Sequence, residues 1–343
     1  MVSIAKNFFV FDRYLEAEPL GNGNINDTFL LGYEVGGVQK KALLQRLNHQ
    51  VFQQPEVVMD NTLQICRYLK EQDYPYQIAE PLSALNGKFL HQDEAGNYWR
   101  AFPYIEHSYA PEGVSNPGIA FEAARAYGAF ARALGNFPVS TLAETIPGFH
   151  DTDQRWLAFL RILQEDPAGR VQAYPSEIAA MMEVKPVFDQ ISALKRSGQL
   201  PLRVAHNDTK AGNVLFDRST HKALAVIDLD TVMPGTLLSD FGDMVRTFSP
   251  DCSEDAISAP ILRREVLDAI KQGFLEETEG FITKTEKENL MLGAAWMVGE
   301  QALRFLTDWL SGDVYYKISS PAHNLNRARN QLTLFKGVMD VAR

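Results

Sequence analysis

The 343-residue chain has little cysteine: Cys66 and Cys252 stand far apart, with no His or Cys beside either at metal-ligand spacing. That excludes a disulfide scaffold and a Cys-based zinc site, and reduced cytosolic thiols are expected. Also missing is any stretch approaching the roughly 18 uninterrupted apolar residues that a membrane span requires. The opening Met1 to Phe9 runs straight into Asp12 and Arg13, which leaves no apolar core of signal-peptide length. Positive charge is in deficit: 33 Lys and Arg stand against 43 Asp and Glu, for a net charge of −10. With no basic run longer than a few residues, a nucleic-acid or anionic-membrane partner is not expected. Internal repeats and low-complexity segments are absent too. These gaps leave a soluble cytoplasmic protein, monomeric or weakly homo-oligomeric. Its 45% hydrophobic content and its length suffice for two domains with substantial cores.

The first hundred residues read as strand-rich. The loop Gly21-Asn22-Gly23-Asn24 leads into Thr28 to Val35. Gly36-Gly37 then forms a two-residue turn, because both of its positions need positive φ, and Gln39 to Leu47 returns. A helix is predicted from about Pro55 to Glu71, where Val58, Thr62, Ile65 and Leu69 recur at helical spacing. Asn97 to Glu106 reads as a strand that should end at Pro103, which has no N–H for a ladder. Beyond Glu106 the pattern is helical, with one helix marked by Ala120, Ala124, Tyr127, Ala131 and Leu134. A second lies between Pro175 and Ser197, kinked or split at Pro186, and a long one covers about Glu286 to Leu310. Val214 to Asp217 and Ala223 to Asp228 read as short paired strands. The expected fold is α+β and bilobal, kinase-like: a strand-rich N-lobe over residues 1–103 binds nucleotide, and a mainly helical C-lobe over 104–343 carries the catalytic loop and substrate site.

The chemistry concentrates in His206-Asn207-Asp208-Thr209-Lys210-Ala211-Gly212-Asn213 and in Ile227-Asp228-Leu229-Asp230. An aspartate, four residues and an asparagine entering a strand is the layout of a kinase catalytic loop. Asp208 fits the base that orients and deprotonates an acceptor hydroxyl. Asn213 and Asp228 offer a neutral and an anionic oxygen to Mg²⁺, which prefers such hard ligands. Asp230, two residues on, would point the same way as Asp228 in an extended segment. Gly21, Gly23 and Asn24 could lie over a triphosphate, since glycine lets backbone N–H groups approach closely. A cation should project from the third strand toward the phosphates. The candidates are Lys41 and Arg46, with Arg46 favoured; a register slip of one would put uncharged Gln45 there instead. Asp240-Phe241-Gly242-Asp243 lies too far downstream to bind the metal, and Asp240 is expected to hydrogen-bond the catalytic loop. On the last long helix Glu300, Arg304 and Asp308 lie four apart. With Tyr315 and Tyr316 just beyond, they read either as a solvated ion-pair ladder or as the polar wall of a hydroxylated substrate site.

These segments resemble the aminoglycoside phosphotransferase/choline kinase-like family, whose His-x-Asp-x4-Asn loop and Ile-Asp strand end match His206 to Asn213 and Ile227-Asp228. Within it, Ile227 to Gly235, Asp240 to Asp243, Trp99 to Glu106 and Arg304 to Asp308 are most similar to the N-acetylhexosamine 1-kinases. The likeness runs from the glycine loop to the last helices. It implies ATP- and Mg²⁺-dependent phosphorylation of N-acetylglucosamine or N-acetylgalactosamine at the anomeric hydroxyl. It further implies adenine against the backbone of Pro103, Tyr104 and Ile105, and Arg304 facing the sugar, with Asp308 and Tyr316 beside it. The alternatives are the same chemistry on choline, homoserine, hydroxylysine or an aminoglycoside, and a non-catalytic nucleotide-binding protein. The chain departs from the kinase pattern in lacking a clear lysine on strand three.

Overall fold

A computed structural model of the protein describes residues 1–21 and 25–342. Gly23 and Asn24 of the predicted phosphate loop therefore lie outside the described residues. The strands are β1 (Arg13–Pro19), β2 (Asp27–Val35), β3 (Val38–Leu47), β4 (His91–Gln92), β5 (Tyr98–Pro103), β6 (Ser108–Tyr109), β7 (Arg203–Ala205), β8 (Val214–Asp217), β9 (Ala223–Val226) and β10 (Met233–Gly235). The helices are α1 (Val2–Phe8), α2 (Pro55–Lys70), α3 (Pro117–Ala133), α4 (Thr152–Glu165), α5 (Pro175–Met182), α6 (Lys185–Arg196), α7 (Leu237–Phe248), α8 (Arg264–Thr278), α9 (Lys284–Glu288), α10 (Leu290–Ser311) and α11 (His323–Ala342). The chain divides into two compact units. One comprises Met1–Ala110, Asn136–Pro147 and Val214–Pro234; the other comprises Pro111–Gly135, Gly148–Asn213 and Gly235–Arg343.

The first unit is built on an antiparallel five-stranded sheet in the order β1-β2-β3-β5-β4. Gly36 and Gly37 have φ of 59° and 78°, so Val35 pairs with Val38 across the predicted two-residue turn. From there the register runs unbroken to Asp27 opposite Arg46. The pleat then sorts the side chains. Ala42, Leu44, Trp99 and Ala101 share one face with Leu31 and Tyr33, and α1 closes this core with Ile4, Ala5 and Phe8. Gln45, Leu47 and Arg100 fall on the opposite face, where Leu47 packs with Phe52 and with Val58 of α2. β5 ends at Pro103, as its missing N–H requires. A second, three-stranded sheet has the order β6-β8-β9.

The second unit is helical. The predicted Pro175–Ser197 helix is split into α5 and α6, and Pro186 sits in the first turn of α6, where an absent N–H costs nothing. The predicted helix from Glu286 is likewise two. α9 starts from a Thr283–Glu286 capping box, and α10 begins after Asn289. The sequence reading assigns no element to α4, α7 or α8. α7 and α10 cross closely: a Cβ on Gly242 would sit 2.3 Å from the Gly293 carbonyl oxygen. The glycine of the Asp-Phe-Gly-Asp segment therefore serves a helix crossing, while Phe241 is fully buried.

Candidate active site

β7 delivers the chain into the catalytic loop. His206 is fully buried, with its ring edge-on to Tyr127 and Phe130 at centroid distances of 5.3 and 5.9 Å. Asn207 adopts φ 62°, a left-handed turn that asparagine tolerates. This turn aims the backbone N–H groups of His206 and Asn207 at Asp240, whose two carboxylate oxygens accept them at 2.8 Å each. Thr209 Oγ1 donates to the Asp240 carbonyl at 2.7 Å, and Tyr127 Oη donates to the Lys210 carbonyl at 2.8 Å. Asp240 thus holds the loop, as the sequence suggests. Burial pushes its carboxyl up to about 6, against the opposing pull of His206 and the two N–H donors.

Held this way, the loop presents Asp208. Lys210 Nζ lies 2.7 Å from Asp208 Oδ2, and Asn213 Nδ2 donates to the same oxygen at 2.9 Å and to the Asp208 carbonyl at 2.9 Å. Burial alone would favour the neutral acid. The Lys210 ammonium, its hydrogen bond, His206 and the Asn213 amide outweigh it, and the Asp208 carboxyl lies below the usual range. Because the Asn213 amide nitrogen takes both bonds to Asp208, its amide oxygen points the other way. Val214 pairs with Val226, so the chain enters β8 from Asn213 and leaves β9 toward Asp228 at one end of this hairpin. Asp228 sits at φ 60° and opens a short 3-10 turn, Leu229–Thr231. The predicted alternation of Asp228 with Asp230 therefore does not hold, because the segment is not extended. Among the described residues no three His, Cys, Asp or Glu side chains group as a metal cage. Asn213 belongs to the helical unit and Asp228 to the strand-rich one, and each carries a hard oxygen of the kind that Mg²⁺ takes.

In the strand-rich unit Arg46 is half-exposed, and its Nε donates to Asp27 on the neighbouring strand at 2.8 Å. The pleat sets it on the face opposite Gln45. Lys41 lies over the Tyr104 ring at 5.3 Å. Gln45 Nε2 donates to Thr28 Oγ1 at 2.9 Å, and its Oε1 accepts from Arg100 Nε at 2.8 Å. Arg100, on β5, is a buried cation that the sequence reading passed over. The one signal for it was a charged residue within the otherwise apolar and aromatic run Tyr98 to Phe102. Gly21 has φ 74° and is exposed. Pro103 pairs with Ala42 at the end of β5, and the Ile105 carbonyl accepts the Ser108 hydroxyl at 2.6 Å.

The helical unit holds a second polar group, on α10. Glu300, 1% exposed, takes His150 Nδ1 at 2.9 Å on Oε1, with Arg155 Nε 3.5 Å away. Among the described residues its Oε2 has no hydrogen-bond partner, nor do Asp243 Oδ2 and Trp296 Nε1. Burial alone would raise the Glu300 carboxyl, but His150, Arg155 and Arg304 carry it below its ordinary value. One turn on, the Arg304 guanidinium lies over the Phe149 and Tyr316 rings at 5.8 and 5.6 Å. Its hydrogen bond to Gln301 Oε1 is long, 3.5 Å. Asp308 is occupied otherwise. Its oxygens accept the N–H groups of Val314, Tyr315 and Tyr316 at 3.0, 2.8 and 2.9 Å and Asn324 Nδ2 at 2.8 Å. Asp308 therefore shapes the loop that carries Tyr316, after α10 ends at Gly312 in the left-handed region.

An antiparallel-sheet unit, a helical unit and an Asp-x4-Asn loop followed by an Ile-Asp strand end define a protein-kinase-like phosphotransferase architecture. Residues 16–272 match the phosphotransferase enzyme family, APH, and the chain belongs to that family. An uncharacterised kinase-like protein of Caenorhabditis elegans is 28% identical over 195 residues, 49% of this chain. The match spans 51% of that protein, about half of its length. Among solved structures, a microcompartment-associated aminopropanol kinase superposes with a TM-score of 0.69 at 19% identity, covering 100% of this chain and 98% of the other. A spectinomycin phosphotransferase, solved with ADP and spectinomycin, gives 0.60 at 14% identity, with 98% and 97% covered. At these identities the likeness is one of fold.

Proposed function

We propose that the protein is a small-molecule kinase that transfers the γ-phosphoryl group of ATP, with Mg²⁺, to the anomeric hydroxyl of an N-acetylhexosamine. The observation that carries the acceptor class is the α10 group. Glu300 Oε2 is a buried oxygen still short of a donor, while Arg304, one turn on, has N–H groups to give. Such groups match the donors and acceptors of a polyhydroxylated neutral ligand, which would complete them. A cationic acceptor such as choline fits less well. It needs open aromatic faces, and the faces of Phe149 and Tyr316 already carry the Arg304 guanidinium.

In this reading Asp208 receives the acceptor hydroxyl. A carboxylate held below its usual range stays ionised and orients the hydroxyl well, though it is a weak base. An anomeric hydroxyl is more acidic than an ordinary alcohol, so a weak base suffices. Phosphoryl transfer of this kind rests on positioning and charge neutralisation rather than strong proton abstraction. Asn213 and Asp228 would hold Mg²⁺, which neutralises charge on the phosphates. Gly21 and the loop after it would cover the phosphates, with the adenine against Pro103, Tyr104 and Ile105.

The test is an acceptor screen with ATP and Mg²⁺ over N-acetylglucosamine, N-acetylgalactosamine, choline, aminopropanol and an aminoglycoside, with the phosphate located by NMR. The expected product is an N-acetylhexosamine 1-phosphate; turnover confined to an amino alcohol or an aminoglycoside would refute the acceptor. Replacing Asp208 by Asn should lower kcat by about 10²- to 10⁴-fold while leaving the unfolding midpoint close to wild type. An active Asp208→Asn enzyme would remove the assigned base.

A further inference from the structure

Strand three brings no buried cation: Arg46 points to one face, and on the other, beside Gln45, its charge is Lys41, which is exposed. The same face carries Arg100, 1% exposed, from β5. Its guanidinium lies 2.6 Å from Asp230 Oδ1 and donates to Asp230 Oδ2 at 2.8 Å and, through Nε, to Gln45 Oε1 at 2.8 Å. Its remaining nitrogen lies 3.7 Å from the sulfur of Met59 on α2. Asp230 is itself closed off, since Asn26 Nδ2 donates to Oδ2 at 2.7 Å. Asn26 accepts the Asn48 N–H at 2.9 Å, which ties the end of β3 into the same group. Both oxygens of Asp230 thus have partners within the protein. It lies two residues beyond Asp228, inside the tight Leu229–Thr231 turn, so fixing Asp230 fixes the backbone of the turn on which Asp228 stands. A further tether lies just beyond, where Asn61 of α2 donates to the Val232 carbonyl at 3.0 Å.

From this arrangement we infer that the Arg100–Asp230 pair is a positioning device for the metal-binding segment, supplying from strand five the buried cation that strand three lacks. The inference rests on the reading of Asp228 as a Mg²⁺ ligand. Stability alone is a weak reason for such a pair, because two well-packed apolar side chains in place of a buried ion pair often serve stability as well or better. Orientation is a stronger reason. One guanidinium nitrogen meets both Asp230 oxygens while the Nε and Nη2 fork is seated on Gln45, which fixes the direction of the carboxylate as an apolar contact does not. The pair also joins three parts of the unit: the chain just after the glycine loop through Asn26 on the carboxylate, the sheet through Gln45 on the guanidinium, and the Asp228 turn that carries Asp230.

The decisive variant is Arg100→Met combined with Asp230→Leu, which removes both charges together and leaves neither unpaired. Isothermal titration would measure ATP binding to the whole protein across a Mg²⁺ series, alongside the KM values for ATP and for the acceptor. The double variant should melt near wild type, while its half-saturating Mg²⁺ and its ATP Kd rise about 10- to 100-fold, as for lost outer-shell partners of a metal ligand. The acceptor KM should stay unchanged. Arg100→Lys is the companion. It keeps the charge but loses the fork that seats the cation on Gln45, and it should show the same Mg²⁺ shift in a folded protein. A folded double variant, or a folded Arg100→Lys, with wild-type Mg²⁺-dependent ATP binding would overturn the positioning role. So would an equal rise in ATP and acceptor KM. Wild-type protein that bound no ATP at any Mg²⁺ concentration would sink the proposed function as well, so the two failures are distinguishable.

Discussion

Two arginines drawn into the protein make opposite use of their charge. Arg100, in the strand-rich unit, has a carboxylate, an amide oxygen and a sulfur around it, and its carboxylate partner Asp230 is closed in turn by Asn26. Arg304, in the helical unit, lies between two aromatic rings with one long hydrogen bond. One turn before it on α10 is a buried carboxylate oxygen with no partner among the described residues. Burying a charge is costly unless it is paired and hydrogen-bonded. A complete set of partners therefore marks a group whose work is internal, and an incomplete set marks one whose partner arrives from outside. The contrast separates positioning from recognition more sharply than residue type does, since both groups are Arg with an acidic neighbour.

The same substitution at both positions tests the contrast. Arg100→Met alone leaves Asp230 buried and uncompensated and should cost about 3–5 kcal/mol of unfolding free energy. Arg304→Met should cost less than about 2 kcal/mol, yet raise the acceptor KM about 10- to 100-fold. That rise corresponds to one charge-assisted hydrogen bond at about 1.5–3 kcal/mol. Urea unfolding and steady-state kinetics read the two effects. Equal destabilisation at the two sites would break the comparison.

How legible each group was in the sequence follows from how far apart its members lie along the chain. The joining of Asp208 and Asn213 in one loop was readable because they are five residues apart and their bond is local. The Gly36-Gly37 turn was readable because two consecutive positive φ values leave few other choices. The role of Asp240 could be inferred by elimination, since its position ruled out the metal. Arg100 could not be paired in advance, because Asp230 lies 130 residues away and the contact depends on the pleat of β5. Asp230 itself was misdirected by assuming an extended strand where the backbone turns left-handed at Asp228. Asp308 read as part of a polar wall, because nothing in the sequence shows that the chain folds back after Gly312 and brings three N–H groups to its carboxylate. Helices α4, α7 and α8 have 14, 12 and 15 residues and amphipathic patterns, so length did not hide them; their periodicity was there to be read.

A milder version of the contrast runs between two carboxyls of the helical unit. Asp208 is held below its ordinary range by Lys210, and Asp240 is pushed up to about 6 by burial. The folded state therefore binds the Asp240 proton more tightly than the unfolded chain, whose ordinary value is 3.8. The resulting stability is fully present below 3.8 and is lost as pH rises through 6. Asp240→Asn cannot titrate. The unfolding free energy of wild type minus that of the variant should therefore fall by about 3 kcal/mol between pH 3.5 and 6.5. Urea titrations across that range measure it, and a flat difference would show that Asp240 titrates in the folded protein as it does in the unfolded chain.

The smallest effect is expected at Arg46, the third arginine worth comparing. Its pair with Asp27 lies at the surface, with side-chain exposures of 45% and 52%. An ion pair in such a setting contributes about 0.2–1 kcal/mol, because water screens it and two flexible side chains must be held to make it. Arg46→Gln should therefore change unfolding free energy by less than about 1 kcal/mol. If Arg100 supplies the buried cation, Arg46→Gln should also leave the ATP KM within about twofold, under about 0.5 kcal/mol. A tenfold rise in ATP KM in a fully stable Arg46→Gln protein would return the phosphate-facing role to strand three. The Asp27 pair would then be a resting partner that Arg46 leaves on binding nucleotide, and a complete partner set would no longer suffice to tell an internal role from recognition.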